Sequence, residues 1–123
     1  MAITKVKTIV RDMTRADLGR VGEILFEAFN AGASKYGYAS KMHSAEEGTS
    51  WAWAMLRHGS GEFLVAEVEG CVAGICCLNL RGVHGGIGPV AVDPSFQGHG
   101  IGRQLMNALL TKAEGLQSVR LFQ

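Results

Sequence analysis

Hydrophobic and polar positions follow two different periods along the chain. Val6, Thr8, Ile9 and Val10 give the run from Lys5 to Arg11 a β-rich character that predicts a first strand, although its alternation is imperfect. Thr14 stands three residues before Asp17, a variant of the capping box, and Leu18, Val21, Leu25 and Phe29 then recur at helical spacing. A helix from about Arg15 to Phe29 is expected. Between Asn30 and His43 the glycines, serines and two tyrosines interrupt any helical period and predict a loop carrying Tyr36 and Tyr38. Ser44 and Glu47 repeat the capping pattern, and Trp51, Met55 and His58 mark a second helix that Gly59 stops.

The second half is richer in strands. Glu62 to Val68 and Cys71 to Leu80 are β-rich runs joined at Glu69-Gly70, a two-residue turn that predicts an antiparallel hairpin. Ile87 to Val92 reads as a fourth strand. Gly100 to Glu114 returns to helical spacing through Ile101, Leu105, Ala108 and Leu109 before Gly115, and Val119 to Phe122 begins a further strand. With no internal repeat and no interdomain linker, this order predicts a single α/β (α+β) domain over residues 1–123.

Composition narrows the class. A chain of 123 residues supports one core, and 47% hydrophobic with 19% charged residues argues for a folded globular protein. Twelve Lys plus Arg against eleven Asp plus Glu leave a net charge of +1, with no field to gather nucleic acid or anionic lipid. No apolar run approaches the ~20 residues of a membrane helix, so a cytoplasmic location is expected. Cys71, Cys76 and Cys77 lack CxxC spacing and read as reduced core thiols.

Seventeen glycines are more than turns alone predict, and seven of them crowd between Gly82 and Gly102. There Val90 and Val92 share one face of a strand, Asp93-Pro94 breaks its ladder, and Gly98, Gly100 and Gly102 sit where a helix begins. Such a turn exposes backbone amides at the positive end of a helix dipole, which suits an anion such as a phosphate. Arg103 can add a charged donor and His99 a hydrogen bond. Dinucleotide and P-loop readings both fail, because GxGxxG needs glycine where Arg103 stands and no GxxxxGK[ST] occurs. Pro89 cannot donate within its strand and predicts an edge, a bulge or a splay.

These residues resemble a known family. Gln97-x-x-Gly100-x-Gly102, preceded by Val90-x-Val92-x-Pro94 and followed by an amphipathic helix, is similar to the acetyl-CoA motif of the GCN5-related N-acetyltransferases, the GNAT family. The upstream element order matches as well. The resemblance implies the acyl-CoA N-acyltransferase fold, a central, mostly antiparallel mixed sheet flanked by helices, here C-terminally short because the chain ends in or just after the fifth strand. It implies acetyl-CoA as co-substrate and no metal. Val90 and Val92 would bind the pantetheine arm beside a splay at Pro89. Gln97, Gly98, His99, Gly100, Gly102 and Arg103 would bind the pyrophosphate, mainly through main-chain N–H groups.

The implied reaction is direct acetyl transfer to a primary amine of a small molecule or peptide. It needs a base, an amide donor for the thioester carbonyl, expected near Val92, and an acid for the thiolate. From Gly82 to Val92 there is no carboxylate, which leaves His84 as the candidate base; Glu67 and Glu69 are lesser candidates expected to face solvent. No residue matches the tyrosine that commonly serves as acid in the family. By resemblance Tyr36, Tyr38, His43, Trp51 and Trp53 lie on the acceptor side, with Tyr36 and Tyr38 the substrate candidates and Trp51 expected in the core. The alternative is a non-catalytic CoA-binding or interaction module, a GNAT half completed by a partner or a second copy. In either case uncovered apolar surface predicts a homodimer or a strand-exchanged assembly.

Overall fold

The structure, a computed structural model, describes residues 7–37 and 42–121. Among them five strands form one sheet in sequence order: β1 (Thr8–Asp12), β2 (Gly61–Val68), β3 (Cys71–Arg81), β4 (His84–Val92) and β5 (Ser118–Leu121). β1 to β4 pair antiparallel. β5 joins β4 in parallel, as a strand must when a helix carries the chain back along the sheet. That helix is α3 (Ile101–Lys112), while α1 (Leu18–Tyr36) and α2 (Ala45–His58) lie between β1 and β2 in the chain.

Each element has a local cause. Ser44 Oγ accepts the Glu47 N–H at 3.1 Å to open α2, and Gly59 closes it through its N–H to Met55 C=O at 2.8 Å. Glu69 and Gly70 both take positive φ, the left-handed pair that a tight hairpin requires. Two boundaries differ from the sequence reading. α1 does not stop at Phe29 but runs through the expected loop to Tyr36, after which Gly37 at φ 72° ends it; alanines and a lysine keep Asn30 to Tyr36 helical despite its glycine and serine. β4 starts at His84, because Gly82-Val83 turns the chain and sets His84 opposite Arg81.

The sheet is covered on both faces, which explains why β3 is buried without interruption from Val72 to Leu78. Val21, Ile24 and Leu25 of α1 pack with Ala52 of α2 on Val65, Ile75 and Ala91. On the other face Ile101, Leu105 and Leu109 of α3 pack on Leu64, Ala66, Cys76, Leu78 and Ile87. Cys76 and Cys77 are buried and Cys71 is exposed, so the expectation of core thiols holds for two of the three; Cys71 is the first residue of β3, beside the hairpin turn. Burial pushes the Cys76 and Cys77 thiols up to about 12. α1 and α2 cross at Gly22 and Gly48: a Cβ on Gly22 would overlap Thr49, and one on Gly48 would overlap the Gly22 carbonyl.

Asp17, 6% exposed, anchors the start of α1. Its carboxylate accepts two hydrogen bonds from Arg11, at 2.8 and 2.9 Å, and the Thr14 N–H at 2.7 Å. The Arg11 hydrogen bonds, with help from Thr14 and against burial, hold its carboxyl down at about 2. A depressed carboxyl stabilises the fold above its unfolded value of 3.8 and loses that contribution as pH falls through about 2. Asp17→Asn is expected to cost about 2 kcal/mol at pH 7 in urea denaturation, and the difference from wild type should shrink steadily between pH 4 and pH 2.

Candidate functional site

The site lies along the second half of β4. Among the described residues β5 pairs with β4 from His84 to Ile87, the partner of Leu121, and no described strand borders Gly88 to Val92 on that side. Between Ile87 and Val90 the β3 register shifts by one residue, a bulge that sets Gly88 and Pro89 opposite Cys77. Of the edge, bulge or splay expected at Pro89, the bulge is present. Asn79 Nδ2 donates to Gly88 C=O at 3.3 Å and steadies the bulge from β3.

Strand alternation fixes which amides face the opening. Asp93 N–H donates to Ala73 C=O at 2.8 Å on the β3 side, so Val92 turns its N–H and C=O to the other edge. Val90 does the same two residues earlier. Their side chains pack with the α3 layer, while Ala91 packs with α1. The shared face read from the sequence is therefore observed.

Beyond Val92, Asp93 caps a single 3-10 turn (Pro94–Phe96), its Oδ1 accepting the Ser95 N–H at 2.8 Å. Gly98 and Gly100 then take φ of 86° and 77°, a conformation that favours glycine, and Gly100 is the N-cap of α3 without a side chain to cap it. Among the described residues no acceptor meets the N–H groups of residues 98–103. A cavity of about 400 Å³ joins this cradle to that edge of β4. Val90 and Val92 form one wall, Gln97, Gly98, Gly100 and Gly102 another, with Phe96 and Ile101 between them.

Gln97 departs from its expected part. Its N–H donates to Pro94 C=O at 3.4 Å and its Nε2 to Val92 C=O at 3.2 Å, so it braces the loop rather than offering a free amide. His99 and Arg103 are exposed beside the cradle. A Cβ on Gly102 would meet only Val92 Cγ2, at 3.7 Å, so the glycine there gives clearance rather than conformational freedom.

The sequence reading missed the brace behind the loop. Arg20 of α1 pairs with Asp93 and donates through Nε to Val72 C=O at 3.1 Å, tying helix, β3 and loop together. Burial works against the Asp93 charge, but the Ser95 amide and the Arg20 guanidinium outweigh it and hold the carboxyl below the usual carboxylate range. An arginine after a capping pattern and an aspartate before a proline read as surface and turn residues; nothing in their spacing links positions 73 residues apart.

A second cavity, about 600 Å³, opens at the start of β4 and contains His84, whose Nδ1 lies 2.7 Å from Ser118 Oγ. Neither lesser base candidate lines it: Glu67 pairs with Arg11 at 3.5 Å, and Glu69 is exposed in the hairpin turn. Trp51 packs partly buried against the α1 core, as expected. Trp53 is flanked by Arg15 and Arg57, 4.8 and 5.3 Å from its ring centre, and the His43 N–H donates to Glu47. Tyr36 ends α1 instead of standing in a loop, and Tyr38 lies outside the described residues.

The mixed sheet with its bulged fourth strand, followed by a glycine cradle at a helix N-terminus, has the acyl-CoA N-acyltransferase fold. Residues 21–123 match the acetyltransferase (GNAT) family, and the chain belongs to it. It is 31% identical to an uncharacterised N-acetyltransferase of Methanocaldococcus jannaschii over 85% of its length, and spans about half (47%) of that relative. A GNAT acetyltransferase of Brucella melitensis solved with acetyl-CoA superposes with a TM-score of 0.71 at 23% identity, over 95% of this chain and 77% of that one. A putative acetyltransferase of Salmonella typhimurium, also with acetyl-CoA, gives 0.67 at 24% identity over 87% and 63%. No helix among the described residues is long and apolar enough to cross a membrane.

Because Asp93 is 6% exposed and its partner Arg20 lies on a different element, breaking the pair should loosen the loop and the sheet together. Asp93→Asn is expected to lower stability by about 2 kcal/mol at pH 7. The wild-type advantage should fade on acidification, since a depressed carboxyl contributes above its unfolded value and loses that contribution as it protonates. Thermal denaturation across pH checks both statements.

Proposed function

We propose that the protein is an acetyl-CoA-dependent N-acetyltransferase that moves an acetyl group to a primary amine of a small molecule or peptide by direct transfer. The observation that carries this reading is the cleft joining β4 beyond its bulge to the unbonded amides of residues 98–103. Amides without internal acceptors at a helix N-terminus suit a pyrophosphate, with Arg103 and His99 at hand as side-chain donors. The outward N–H and C=O of Val90 and the N–H of Val92 suit the amides of a pantetheine arm laid along the strand, while the Val92 C=O already accepts from Gln97.

Bound acetyl-CoA supplies a thioester carbon open to attack by an amine. The C–N bond forms and the C–S bond breaks; the amine gives its proton to the base, and the departing thiolate takes one from solvent. His84 is the proposed base. Its Nδ1 faces Ser118, and the tautomer that donates there leaves Nε2 to accept the proton. The protein acts in the cytoplasm on this reading, and three free thiols, one of them exposed, fit a reducing compartment. The outer edge of β5, unpaired among the described residues and carrying Val119 at 37% exposure, supports pairing with a second copy.

Calorimetric titration with acetyl-CoA should give a 1:1 heat of binding, and absence of heat or thermal shift at millimolar ligand would defeat the proposal. Gly102→Glu, which sets a carboxylate into the cradle where there is room for a side chain, should weaken binding at least about tenfold. His84→Gln should lower kcat by about a hundredfold with acetyl-CoA affinity retained. Binding without transfer across an amine panel selects the non-catalytic module instead. Sedimentation at rising concentration checks the assembly, and a monomer throughout contradicts it.

A further inference from the structure

The cavity at the start of β4 has a chemistry of its own. A Cβ on Gly85 would meet Leu116 and Leu78, so Gly85 faces the α3 layer and its neighbours His84 and Gly86 face the opposite side. Strand register then lays two rows across that face. Asn79, Gly86 and Arg120 form one row over β3, β4 and β5; Arg81, His84 and Ser118 form the next. Residues in such rows stand about 5 Å apart. Glycine at the centre of the first row leaves a depression, and the side chains around it carry donors: two guanidinium groups, a hydroxyl and an imidazole.

No carboxylate lines the cavity, and among the described residues neither Arg81 nor Arg120 has an ion-pair partner. Of the other arginines, Arg11 pairs with Asp17 and Arg20 with Asp93, Arg15 and Arg57 lie over the Trp53 ring, and Arg103 stands at the cofactor cradle. Two unneutralised arginines flanking one depression repel a second positive charge and attract a negative one. Its volume, about 600 Å³, suits a small molecule. Asn79, which lines it, also holds the Gly88 carbonyl at the bulge, so the cavity abuts the point where the cofactor cleft begins.

We infer that the acceptor is a small amine that also carries a carboxylate, with Arg81 and Arg120 anchoring the carboxylate in the cavity that His84 lines. This rests on the acetyltransferase reading for its setting and names the acceptor class. Aromatic walls would suit an apolar or cationic amine; the two arginines favour a zwitterion.

The test uses the twenty L-amino acids and their α-carboxamides as probes, titrated calorimetrically into the full chain alone and into the chain saturated with CoA. At least one acid is expected to bind more tightly than its carboxamide, by about tenfold. Arg81→Gln and Arg120→Gln should each remove most of that ratio, and Arg120→Glu should reverse it; comparing ratios cancels the difference in amine basicity between acid and amide. Unchanged acetyl-CoA affinity shows that the variants are folded. If no acid is preferred over its carboxamide, or if the preference survives both substitutions, the inference is overturned. Failure of acetyl-CoA to bind while acids do would defeat the acetyltransferase reading and leave the anion site standing, so the two failures are distinct.

Discussion

The site depends on a strand that bulges against its neighbour and then runs into a glycine loop. β4 keeps β3 throughout its length, with one bulge at Gly88 and Pro89, and among the described residues β5 accompanies it as far as Ile87. The cleft lies along β4 beyond that bulge. Backbone groups of Val90 and Val92 face it, and the chain leaving the strand must turn into α3 without covering them. The exit loop must therefore hold its shape by contacts of its own.

The support comes from behind. Arg20 reaches from α1 to the Val72 carbonyl and to Asp93, so the loop is fixed to the far layer of the molecule rather than to the sheet edge it borders. Gln97 adds a second brace within the loop itself. The cradle is therefore rigid where it meets the protein and unbonded where it faces the cleft, which is how preformed anion sites limit the ordering cost of binding.

Much of the fold was legible from local chemistry. Ser44 with Glu47, the Glu69-Gly70 turn and the alternation of Val90 and Val92 each act within a few residues, and each appears as read. The glycine cradle was legible too, since positive φ at Gly98 and Gly100 is a property of single residues. What escaped depends on distance. Arg20 and Asp93 meet through tertiary packing, Gly22 and Gly48 matter because two helices cross there, and the rows around Gly86 exist only once three strands are in register. The extension of α1 to Tyr36 escaped for another reason: a glycine and a serine lower helical propensity by less than the flanking residues and the continuing helix supply.

The two adjacent cysteines of β3 acquire a meaning beside such a site. Facing opposite layers, Cys76 and Cys77 cannot both approach one partner, and burial keeps their sulfurs protonated far above neutrality. A protein proposed to handle a thioester and release a thiol thus carries, a few residues from its cleft, sulfur that is chemically silent toward both. Thioester exchange and mixed-disulfide formation need a thiolate with access to solvent. Among the three cysteines only Cys71, at the hairpin end of the same strand, has that access.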